Sequence, residues 1–168
     1  MNPPSPAAAH AHAVAAHPAA LQWRLFAMVY DLLPLLGIFF ATAALTLLLR
    51  GGTPVQPGSL GAWLELLLML AAGFGYFGLS WRRGGQTLGM RAWRLRVLRA
   101  DGGVPAWSAL VLRYVVAGMS IAACGLGYLW SLVDGERRTW HDLASGTVTV
   151  RLPKPQKPPT STLESSAN

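Results

Sequence analysis

The sequence predicts an all-α membrane protein with two firm transmembrane helices. A third hydrophobic segment either spans or re-enters, and a small cytoplasmic β-ribbon is possible beside them. Three observations carry this. Of the 168 residues, 52% are hydrophobic and only 12% are charged, whereas a soluble domain is nearer one quarter charged. The apolar residues gather into three long runs. The net charge of +7 comes mostly from arginines that flank those runs.

The first twenty residues, MNPPSPAAAHAHAVAAHPAA, lack lysine, arginine and a continuous apolar stretch. They do not read as a secretory signal and are expected to be a disordered Ala/His/Pro tail. His10, His12 and His17 could hold a metal loosely, but nothing there fixes a coordination geometry. No metal and no cofactor is expected. The membrane domain then covers residues 21–152, and residues 153–168, rich in proline and serine, form a second disordered tail.

The first run, Leu21 to Leu49, is long enough to cross roughly 30 Å of hydrocarbon with tilt to spare. The second runs from Leu60 to Trp81, with Trp63, Tyr76 and Trp81 toward its ends, where amphipathic rings favour the interface. Between them, RGGTPVQPGS has turn chemistry. The stretch RRGGQTLGMRAWRLRVLRADGG then carries Arg82, Arg83, Arg91, Arg94, Arg96 and Arg99. Positive residues collect on the cytoplasmic side, so this linker and the N-terminus are expected inside. Nucleic acid is excluded as partner, because the arginines flank greasy segments and occupy no polar domain of their own.

The third run, Trp107 to Val133, is long for one helix and too short for two spans. Arg113 interrupts it, and Gly118, Gly125 and Gly127 loosen it. A single span places Arg137, Arg138, Arg151, Lys154 and Lys157 outside. A re-entrant path keeps them inside. WRLRVLRADGG and GTVTVRLP both alternate with the period of strands and can pair only if they lie on one side. Cys124, alone in an apolar run, reads as a small packing residue and excludes an internal disulfide.

Charges inside the apolar runs are the candidate functional residues. Arg24 and Asp31 project from one face of a helix about 10 Å apart along its axis, too far for a direct pair. Arg24 can snorkel to the headgroups. An aspartate near the bilayer centre costs about 2.5–3.5 kcal/mol, so Asp31 needs a cation, a proton or water. Arg113 is the first candidate partner. Pro34 frees the carbonyl of Tyr30 beside Asp31, a geometry that can bind a cation or be a simple kink. Glu65 enters the second run from the outer side, where it reads as an interface residue. In DGERRTWHDLASGT, Asp142 can anchor a short element and hold a linker arginine. His141 and Asp142 are adjacent and point about 100° apart on a helix, so they form no catalytic relay, and no enzyme activity is expected. GGQTLG lacks the lysine and spacing of a phosphate-binding loop.

Four pieces in order resemble the RDD family of bacterial integral membrane proteins. They are Arg24 at the start of a span, Asp31 seven residues later, GQTLGMRAWRLRVLRADGG, and RRTWHDLASGTVTV. The resemblance makes Arg24, Asp31 and Asp142 the signature residues and spans about residues 21–152. Methionine in QTLGM stands where a basic residue is expected. The resemblance implies a multi-pass protein of the bacterial inner membrane. It also implies transport of unidentified ligands, with cation/proton exchange in some members. Two readings follow. In the first, the chain is a small transporter or transporter subunit in which Asp31 titrates or binds an ion, Pro34 opens the helix, and Arg24, Arg113 and Asp142 tune Asp31 or gate access to it. In the second, it is a membrane assembly module in which Arg24, Asp31 and Asp142 pair to fix helix packing. Three segments are few for a sealed pathway, so a homo-oligomer or other membrane subunits are expected beside the lipid bilayer.

Overall fold

A computed structural model describes residues 17–154. In chain order the elements are β1 (His17–Pro18), α1 (Leu21–Leu49), α2 (Leu60–Gly84), α3 (Leu88–Ala92), β2 (Leu95–Arg99), α4 (Trp107–Ala122), α5 (Leu126–Leu129), a 3-10 turn (Trp130–Leu132), α6 (Trp140–Ser145) and β3 (Thr147–Arg151). His10 and His12 lie outside the described residues.

Helices α1 and α2 are the two spans, with mean hydropathies of 2.4 and 1.6 over their apolar windows. The 29 residues of α1 reach about 43 Å at 1.5 Å per residue. Pro34 sits inside this helix without ending it. Leu33, Phe40 and Leu48 on α1 and Trp63 and Leu67 on α2 are largely exposed, the surface that lipid covers in a protein so poor in charge. Ser59 caps α2 by accepting from the Ala62 N–H at 3.3 Å. The helix ends at Gly85, whose φ of 69° suits a residue without Cβ.

The ribbon expected from the alternating stretches is present. Strand β2 pairs antiparallel with β3, Val97 opposite Thr149, and β1 adds to the other edge of β3 in the order β1-β3-β2. Residues before Leu21 therefore also take part in the fold. His17 and Pro18 pair with Arg151 and Val150, and Ala19 is fully buried.

This sheet fixes the path of the third run. β1 precedes α1, β2 follows α2, and β3 follows the third segment, yet all three strands bond together. The third segment must then return to the side from which it set out. It does so through a 107° bend between Trp107–Ala122 and Leu126–Leu132. Cys124 and Gly125, at φ 54° and 80°, make the bend. Cys124 is exposed there, so it does not pack inside as expected from its apolar neighbours.

The sheet, α3 and α6 form a cap at one end of the spans. Two small cores hold it: Ala19, Ala27 and Leu95 with Trp23, Met90 and Trp93, and Trp81, Val97 and Leu110 with Phe74, Phe77 and Tyr114.

Candidate functional site

Among the described residues three polar clusters join the helices, two buried and one part-buried, and the signature residues fall in the two buried ones. The first is centred on Asp142. The Thr139 side chain and Asp142 form a reciprocal capping box at the start of α6, which turns the Asp142 carboxylate toward the interior. Its Oδ2 accepts from Arg24 at 2.5 Å and from the Thr139 N–H at 3.2 Å. Its Oδ1 accepts from Arg113 at 2.5 Å and from the Thr149 hydroxyl at 3.1 Å. Arg24, Arg113 and Asp142 are 6%, 2% and 1% exposed.

One carboxylate thus lies between two guanidiniums, and the second positive charge needs other acceptors. Arg24 donates to the carbonyls of Ala19 and Arg137 at 3.1 and 3.0 Å. Arg113 donates to the hydroxyls of Thr147 and Thr149 at 2.6 and 2.8 Å, and its guanidinium lies 5.2 Å from the centre of the Trp81 ring. Thr147 and Thr149 are alternate residues of β3, so one face of that strand supplies both hydroxyls.

This arrangement corrects three expectations. Arg113 is the partner of Asp142, not of Asp31. Arg24 turns inward instead of snorkelling. Asp142 holds residues of α1 and α4, not an arginine of the linker.

Asp31 forms the second cluster. Its Oδ1 accepts from the Tyr76 hydroxyl at 2.6 Å and from the Gly89 N–H at 2.9 Å, and its Oδ2 accepts from the Thr87 hydroxyl at 2.5 Å. Thr87 is also the N-cap of α3, accepting from Met90 at 3.2 Å. Asp31 therefore ties α1 to α2 and to the GQTLGM linker. Sequence reasoning missed Tyr76, placed only at the interface, and Thr87. The signal for Thr87 was its cap position directly before LGM.

Glu65 forms the third cluster, at the opposite end of the spans. It accepts from Thr46 at 2.8 Å and from Arg50 at 3.3 Å. It joins α1 to α2 there, so it is paired across helices instead of merely reaching the interface. Pro34 has no side chain able to join any of these networks; its place in the site is limited to its position one turn beyond Asp31 in α1.

His141 lies beside the Asp142 cluster, buried against Tyr128. Its Nε2 is 2.8 Å from the Thr139 hydroxyl and 3.9 Å from Asp142 Oδ1. Burial first, and the Arg113 charge second, lower its pKa from 6.5 to about 3. Burial alone would raise the Asp142 carboxyl, but the Arg113 and Arg24 guanidiniums hold it well below the usual carboxylate range.

Both shifts act on stability with one sign. The unfolded chain protonates His141 near 6.5 and the folded chain only near 3. The His141 contribution is therefore complete above the unfolded value and is lost as pH falls through that window. The Asp142 contribution is lost below the unfolded value of 3.8. Thermal melts in detergent are expected to show a midpoint that falls between about pH 6.5 and pH 4. His141→Asn should flatten that slope. A wild-type midpoint flat over the same interval counts against a neutral buried His141.

A model of the RDD family matches residues 18–146, more than half of the chain. The chain belongs to the RDD family. No curated protein and no solved structure matches it. The matched stretch of this RDD protein begins in β1 and ends at Gly146, so it includes Arg24, Asp31, Arg113 and Asp142. With its two long apolar helices, the RDD chain is an integral membrane protein.

Proposed function

We propose that this RDD protein is a non-catalytic membrane assembly module whose signature residues latch a cytoplasmic cap onto two spans. One observation carries the reading. Every oxygen of the Asp31 and Asp142 carboxylates is engaged by a protein donor from a sequence-distant element or a helix cap. Such full engagement suits residues that fix packing, because a buried charge with one partner removed is costly. The protein is multi-pass in the bacterial inner membrane. Its cap faces the cytoplasm, since the arginine-rich linker, Arg151 and Lys154 share the side of β1. The exposed apolar faces of α1 and α2 meet lipid and further copies of the chain as a homo-oligomer.

A second reading, cation or proton exchange at Asp31, is favoured by one feature. Among the described residues Asp31 has no ion-pair partner, unlike Asp142 and Glu65. Asp31→Asn separates the readings. Assembly predicts a fall in protein level and in oligomer size, because Asn offers one acceptor where Asp offers two. Exchange predicts normal accumulation with lost flux in proteoliposomes under an imposed pH gradient. An Asp31→Asn protein that is stable, oligomeric and inactive in exchange would overturn the assembly reading.

A further inference from the structure

A cavity of about 340 Å³ opens at the end of α1, between the β1 edge of the sheet and the turn that precedes α6. Its wall includes Trp23, Arg94, Arg137, Arg151 and Lys154. Among the described residues no aspartate or glutamate lines it. None of these four cations has a carboxylate within ion-pair distance among the described residues; Arg82, Arg83, Arg91 and Arg96 share that state, whereas Arg24, Arg50, Arg99, Arg113 and Arg138 are paired. The nearest acids in sequence to Arg137, Asp134 and Glu136, are both taken by Arg138.

Backbone geometry singles out the same arginines. Arg94 and Arg137 adopt φ of 57° and 56°, in the left-handed region. Arg94 stops α3 and Arg137 closes a turn with its N–H on the Asp134 carbonyl. Glycine or asparagine is the relaxed choice at such positions. Both instead carry an arginine, both residues line this cavity, and strain of this kind gathers at ligand sites. Arg151 adds a third feature. Its guanidinium lies 3.7 Å from the centre of the Trp23 ring. Stacking occupies its flat face and leaves the edge N–H donors, the part that grips oxyanions. Its Nε is buried without a partner among the described residues.

We propose that this cavity binds the phosphate group of an anionic ligand, clamped by Arg94, Arg137 and Arg151, with Lys154 at the mouth. Trp23 belongs to the first turn of α1, so the site lies where the span meets the membrane surface. That depth suits a phospholipid headgroup, and a soluble phosphate compound presents the same chemistry. The site borders the Asp142 cluster, where the Arg137 carbonyl accepts from Arg24, but it uses other side chains, and the proposal stands independently of the assembly reading.

The test is calorimetric titration of the purified full chain in neutral detergent. The probes are inorganic phosphate and, in a second arm, short-chain phosphatidic acid. The variants are Arg94→Asn and Arg137→Asn, since asparagine tolerates the left-handed backbone. Arg99→Gln, outside the cavity, is the control. Saturable binding of phosphate itself identifies a soluble ligand, and binding of phosphatidic acid alone identifies a lipid headgroup. Either result supports the proposal if each cavity variant weakens it by about tenfold or more while the control does not. Lys154→Gln, at an exposed position, serves if an arginine variant fails to fold, with a weaker loss in the same direction. Failure of both probes to bind, or equal binding by wild type and folded cavity variants, overturns it.

Discussion

Asp142→Asn is expected to destabilise the protein by about 3–5 kcal/mol, the scale for breaking a buried ion pair from one side. The substitution keeps the shape and removes the negative charge that Arg24 and Arg113 share. One carboxylate oxygen becomes an amide that donates, and in either orientation it must face a guanidinium, that of Arg24 or that of Arg113. The capping box of α6 weakens with it, worth about 1 kcal/mol more. A double-mutant cycle gives the sharper result. In an Arg113→Met background Asp142→Asn should cost markedly less, because one uncompensated cation is already gone. Chemical unfolding in detergent, followed by tryptophan fluorescence, measures both. Additive costs would mean that Asp142 acts through its cap alone and not as the counter-ion of Arg113.

The spans were legible because about 20 apolar residues in a row admit few other structures. The β2–β3 pairing was legible as a possibility, since two short stretches with period-two alternation can pair if they share a side. That pairing then decided the third segment, which hydropathy alone left open between crossing and returning. The partners of the charges were not legible. Two arginines and two aspartates in apolar surroundings allow several pairings, and helical spacing fixes only which face each residue takes along its own helix. Arg113 went to Asp142 because β3 brings Thr147 and Thr149 to the same guanidinium. Those threonines belong to an alternating strand, and polar as they are they lie buried, 1% and 2% exposed. Asp31 needed no cation because a phenol, a hydroxyl and an amide reach it from two other elements. Such donors are neutral, so a search for opposite charges passes over them. His17–Ala19 were hidden for a different reason: a two-residue strand has no periodicity to read.

Gly89→Ala is expected to be nearly as damaging as the loss of Asp142, although it removes no polar group. A Cβ at Gly89 would run into the main-chain carbonyl of Ala27 and come to 3.0 Å from the Asp31 Cγ. Helix α3 therefore lies on the backbone of α1 with room only for hydrogen. To admit a methyl group, α3 must retreat, and the Gly89 N–H then leaves Asp31 while Thr87 is pulled with it. Overpacking of this kind costs about 1–3 kcal/mol, and a lost hydrogen bond to a buried carboxylate adds about 1.5–3 kcal/mol. Because the obstructing atoms are main chain, Ala27→Gly should give no rescue. The effect should also overlap with that of Asp31→Asn, so the double variant falls short of the sum. Gly75 and Gly118 supply the contrast. Both are helical, and a Cβ there meets nothing within 4 Å. Alanine at either should be neutral or stabilising by up to about 1 kcal/mol within the monomer, from helix propensity alone. Thermal unfolding of the three alanine variants side by side distinguishes these cases. A Gly89→Ala protein that melts with the wild type would mean that α3 is not seated on α1, and the latch at Asp31 would fail with it.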